Sequence, residues 1–115
     1  MFATASLGML YYSGEGVKLD KKKARRLFRL AADRGQAQAQ VNLGCSLVDI
    51  DKDEAYRYLQ LAAAQGHLDG VYSVGMSYER GIGVEVDVEE AKRWYSRLAA
   101  KGHEMAIASL ARLGA

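Results

Sequence analysis

At 115 residues, half of them hydrophobic, the chain is long enough for one modest domain with a core, and its composition excludes an unfolded polypeptide. A net charge of +2 is too small to imply a nucleic-acid partner, and a single cysteine, Cys45, excludes an intrachain disulfide framework. No apolar run approaches the roughly 20 residues that span a bilayer, and no targeting signal is recognisable, which favours a cytoplasmic setting.

Taken in order, the chain repeats itself. Units are anchored at Leu7-Gly8, Leu43-Gly44, Val74-Gly75 and Leu110-Ala111, and a period near 35 residues is the signature of a helical-repeat array. The expected units are residues 1–36, 37–67, 68–103 and a C-terminal capping helix, 104–115, in one solenoid domain. Helical pattern begins almost at Met1, which reads as an excerpt from a longer repeat protein. The first unit pairs a helix from about Phe2 to Tyr12 with a second from Lys21 to Arg34. On the first, Ala3, Leu7 and Tyr11 share one face; on the second, Ala24, Leu27, Phe28 and Ala31 do.

The second unit runs from Ala37 to Val48, through a tight turn at Asp49-Ile50, to a helix over Lys52 to Gln65. The third uses Leu68 to Arg80, a loop from Gly81 to Val86, and Val88 to Lys101. The last helix, Glu104 to Leu113, covers the apolar side of the third unit, as a terminal repeat must. Asp20, Asp51 and Asp87 each stand four residues before a core alanine and predict N-caps, each contributing about 1 kcal/mol. Glu54 and Glu90, three residues beyond their aspartates, predict capping boxes. Gly35 and Gly102 predict C-terminal caps.

Gly8, Gly44 and Gly75 lie inside first helices, where glycine costs roughly 1 kcal/mol against alanine. The expected compensation is a close approach of the paired helix, with Ala32, Ala63 and Ala99 opposite. Charge is uneven: residues 1–35 hold eight Lys/Arg and three Asp/Glu, and the rest holds eight and eleven. The basic stretch Lys18 to Arg34 reads as a solvated helix face, with an acidic partner as the sharper alternative.

The run Ala3, Leu7-Gly8, Tyr11, Gly14-Glu15-Gly16-Val17, Asp20, Lys23-Ala24, Phe28, Ala31-Ala32, Gly35 resembles the Sel-1-like repeat, a relative of the tetratricopeptide repeat with a longer inter-helix loop. Gly70 to Gly102 matches the same pattern, with Trp94-Tyr95 at the family's aromatic pair. The resemblance spans essentially the whole chain. Two departures stand out: the second unit has lost the glycine loop, which should alter the local superhelix, and Leu98 replaces the first alanine of the pair. The resemblance implies an all-α fold, a right-handed α-solenoid of antiparallel helix pairs with about seven helices. It further implies an adaptor that holds partners on its concave face; the expected function is a non-catalytic scaffold for a protein or peptide ligand, without cofactor, with the oligomeric state left open and a monomer slightly favoured.

In such solenoids the first helices line the groove. By register the candidate lining is Ala5, Met9 and Tyr12; Gln38, Val41, Cys45 and Val48; Asp69, Tyr72, Met76, Glu79 and Arg80; and Met105, Ala108 and Arg112. An apolar and aromatic lining of this kind suits a peptide or an amphipathic helix. Against this, several of these residues could simply pack between units.

Signals for chemistry are weak. His67 and His103 occupy equivalent positions after repeat-closing glycines, where a linker role outweighs a metal site. Cys45 has no histidine neighbour in sequence and sits mid-helix, so it reads as a small apolar residue rather than a nucleophile. Gly14-Glu15-Gly16 and Gly81-Ile82-Gly83 lack the strand, third glycine and Lys-Ser/Thr of phosphate loops, and read as turns. Cysteine-rich relatives associated with β-lactam hydrolysis staple helix pairs with paired cysteines, which one cysteine cannot do. An RNA-binding solenoid would need basic first helices, whereas the basic residues fall on a second helix. No catalytic or metal residues are expected, and no nucleic-acid partner.

Overall fold

The computed structural model describes residues 21–114. These form six helices: α1 Lys21–Asp33, α2 Ala37–Leu47, α3 Lys52–Ala64, α4 Leu68–Arg80, α5 Val88–Ala99 and α6 Glu104–Leu113. Each helix packs on the next in the chain, and α2 also touches α4 directly. The result is an α-solenoid of helix pairs. The expected first helix, the Asp20 cap and the candidates Ala5, Met9 and Tyr12 lie outside the described residues.

Repeat ends are built the same way three times. Gly35, Gly66 and Gly102 take φ of +88°, +78° and +80°, which a residue with a Cβ adopts only at a cost. Each closes a Schellman motif. The N–H of Gly35 donates to the Ala32 carbonyl at 2.9 Å and that of Gln36 to Ala31 at 3.2 Å. Gly66-His67 and Gly102-His103 do the same to Ala63-Ala62 and Ala99-Leu98. Gln36, His67 and His103 are then the N-caps of the following helices. Their carbonyls accept from Gln40, Val71 and Ile107, and His103 Nδ1 accepts from the Ala106 N–H at 3.2 Å. The two histidines join repeats.

Asp51 and Asp87 cap α3 and α5, accepting from the N–H groups of Glu54 and Glu90 at 3.1 Å. The reciprocal half of the expected capping box is not made. The Asp51 N–H goes to the Leu47 carbonyl and the Asp87 N–H to Tyr78, because the incoming chain already supplies an acceptor. The two glutamates are thereby left for arginines: Glu54 takes Arg29 at 2.6 Å and Glu90 takes Arg93 at 2.7 Å.

Close approach at the interior glycines is present, but with different partners from those expected. A Cβ on Gly44 would meet the Leu59 side chain at 2.7 Å, and one on Gly75 would meet the Tyr95 ring at 2.7 Å. Ala63 instead lies against Gly70, the small residue that opens the next repeat, with its backbone nitrogen 2.8 Å from the Cβ position. The correction follows from helix direction: paired helices run antiparallel, so the middle of α2 meets the middle of α3, not its end.

The core forms two clusters. One joins Phe28, Ala31, Ala39, Leu43, Leu47, Ala55 and Tyr58, and includes Ile82 from the glycine loop of the third repeat. The other joins Ala91, Tyr95, Leu98 and Ala106, with Tyr72, Met76, Leu110 and Leu113 packed on it. The glycine loop is thus an inter-repeat fastener as well as a turn. Leu98, the departure from the alanine pair, is fully absorbed at 1% exposure.

Candidate interaction surface

The first helices place the predicted lining unevenly. Val41 is 6% exposed and belongs to the interior, so it does not line a groove. Tyr72 is half-buried between repeats. Its ring lies 5.3 Å from that of Tyr95 and is stacked at 5.5 Å on His103, and its hydroxyl shares a hydrogen bond with Ser109 Oγ at 3.0 Å. Met76 packs against the third-repeat core, and Val48 against the first cluster. Gln38 is exposed but spans Asn42 and His67. Cys45, Asp69, Arg80, Met105 and Ala108 remain exposed on this side.

Glu79 and Arg112 meet each other. Two Arg112 nitrogens donate to the Glu79 carboxylate at 2.8 and 2.9 Å, and the Tyr95 hydroxyl donates to it at 2.7 Å. The Arg112 guanidinium holds Glu79 below the usual carboxylate range, with Tyr95 adding to the effect and burial opposing it. Burial and then the Glu79 contact push the Tyr95 hydroxyl upward. This triad ties α6 to the repeat before it, so the two groove candidates are used in docking a helix.

Cys45 is exposed, yet desolvation raises its thiol pKa, with a Ser73 hydrogen bond working against that and the Asp69 charge reinforcing it. A raised pKa lowers the thiolate fraction and argues against a nucleophile. Among the described residues, no three His, Cys, Asp or Glu side chains are grouped so as to hold a metal ion. Among them, too, no helix is long and apolar enough to cross a membrane.

The second helices show a surface that reading single repeats did not reveal. Between the first two repeats, α1 and α3 are bolted together. Arg29 Nη2 donates to Glu54 Oε1 at 2.6 Å, the Tyr58 hydroxyl donates to Asp33 Oδ1 at 2.8 Å, and the Arg29 guanidinium lies 5.8 Å from the centre of the Tyr58 ring. Aligning the repeats on Ala24, Ala55 and Ala91 puts Gln60 and Ala64 where Arg29 and Asp33 stood, and Glu90 and Trp94 where Glu54 and Tyr58 stood. None of those cross-repeat bonds is remade. Glu90 pairs within its own helix to Arg93, Gln60 turns to Tyr56 at 3.0 Å, and the Trp94 indole N–H is buried without an acceptor.

The space between α3 and α5 stays open as a groove of about 670 Å³. Leu61, Leu68, Val71 and Trp94 are among the residues that line it, and Arg57, Arg97 and Lys101 bring three positive charges to it. Leu61 and Leu68 are 42% and 47% exposed, more than solitary core leucines would be.

Comparison with known proteins decides the family. The Sel1 repeat model matches residues 2–36, 37–67 and 68–103. The chain belongs to the Sel1-repeat family. This Sel1-repeat chain is similar to the crystal structure of c5321, described as a protective antigen present in uropathogenic Escherichia coli strains displaying an SLR fold. The two are 38% identical with a TM-score of 0.83 over 90% of this chain, which spans only 23% of c5321. It is also similar to a Sel1 repeat protein from Oxalobacter formigenes, at 33% identity and a TM-score of 0.77, covering 96% of this chain and 87% of the other. No match was found among proteins of curated function. Sel1-repeat proteins generally mediate protein–protein interactions.

Proposed function

We propose that the chain is a non-catalytic scaffold that holds a protein or peptide partner on its repeat surfaces. Membership of the Sel1-repeat family supports this reading, and the observation that carries it is the open apolar groove flanked by basic side chains. The charged groups that do converge, such as Glu79 with Arg112 and Glu54 with Arg29, are saturated by one another. They fasten one repeat to the next.

The first-helix face is the surface that the family resemblance favours, and Cys45 makes it testable. It is the only cysteine in the chain and is exposed. A photo-crosslinker attached there is expected to give one saturable adduct with a protein from extracts of the native host, competed by unlabelled scaffold. Adducts that do not saturate, or none, would count against that face.

A further inference from the structure

We propose that the groove between α3 and α5 docks an acidic peptide segment that carries a large apolar side chain. The inference rests on the reading of the chain as a protein-interaction scaffold and adds the chemistry of the partner. Three observations carry it. First, the two outer interfaces are built on one plan, but the second has lost the groups that close the first. Gln60 and Ala64 stand where Arg29 and Asp33 bridge, and the gap they leave is the groove. Second, the lining includes Arg57, Arg97 and Lys101 and no carboxylate.

Those charges are weakly spent. Arg57 reaches Glu54 only at 4.0 Å, while the other Glu54 oxygen is taken by Arg29. Arg97 rests on the Trp94 ring at 4.6 Å, and neither Arg97 nor Lys101 has an ion pair among the described residues. Third, the apolar part of the groove is made of partly exposed leucines beside Trp94. An aliphatic or aromatic side chain buried there gains about 25 cal/mol per Å² removed from water. Carboxylates beside it complement the rim and set orientation and on-rate. A nucleic acid would use the charges but leave the leucines unmatched.

Trp94 is the only tryptophan, so its indole N–H gives one resolved signal in a ¹H–¹⁵N spectrum. The probes are three ten-residue synthetic peptides: Asp/Glu around a Leu-Phe pair, Lys around the same pair, and Asp/Glu around Ala-Ala. The first is expected to shift the Trp94 indole signal and to bind at least tenfold more tightly than the other two. Arg57→Glu/Arg97→Glu, at two exposed positions, is expected to weaken it at least tenfold with an unchanged circular dichroism spectrum. Shifts confined to the α2 and α4 amides around Cys45 and Ser73 would overturn the groove while leaving the scaffold reading intact. No binding by the first peptide, equal binding of all three, or preferential binding of a single-stranded RNA oligomer would also overturn it.

Discussion

Gly44→Leu is expected to abolish cooperative unfolding altogether. The Cβ alone would stand 2.7 Å from two carbons of Leu59 and 3.1 Å from the Ala55 carbonyl oxygen. Leu59 is 2% exposed, so it has nowhere to retreat. Overpacking a tight core costs about 1–3 kcal/mol for a few extra methylenes, and a leucine here must push α3 bodily off α2. That breaks the first core cluster at Leu43 and Ala55, and a domain of this size holds only about 5–15 kcal/mol in total. Thermal denaturation followed by circular dichroism checks it. A mutant with the wild-type midpoint would mean that the two helices are not in the contact described.

Gly83→Val is expected to cost nearly as much, for two independent reasons. Gly83 has φ of +73°, a conformation that a β-branched residue resists. The added Cβ would also lie 2.6 Å from the Lys52 carbonyl oxygen and 2.5 Å from Tyr56 Cβ. The carbonyl is backbone and cannot swing away. Displacing the loop would withdraw Ile82 from the first core cluster, and losing a buried aliphatic contact of that kind costs about 2–5 kcal/mol. The expected result is a fall in midpoint of more than 10 °C, with faster hydrogen exchange in α3. Exchange unchanged in α3 would show that the loop does not fasten the two repeats.

These sites show what the chain reveals unaided and what it hides. Helix boundaries were legible because each repeat marks them chemically: an aspartate before the second helix, a glycine after it. The candidate groove was less legible. Register puts Tyr72 and Glu79 on the first-helix face, but only the fold shows Tyr72 stacked on His103 and Glu79 held by Arg112. Those partners lie more than thirty residues away, His103 at the far end of the same unit and Arg112 in the next. The identity of the residues opposite Gly44 and Gly75 was hidden for a related reason, since it depends on how far antiparallel helices slide past each other. The outer groove was hidden more deeply. Its signal is in the chain, in Gln60 and Ala64 standing where Arg29 and Asp33 stand, but nothing in one repeat says that those positions bridge to the next. That knowledge came from the α1–α3 interface.

The same comparison supplies the most direct test. Gln60→Arg/Ala64→Asp restores the two bridging groups at the second interface, facing Glu90 and Trp94. The expected result is a folded protein with a midpoint at or above that of the wild type, and loss of the Trp94 indole shift on titration with the acidic Leu-Phe peptide. Peptide binding of undiminished strength in that variant would contradict it.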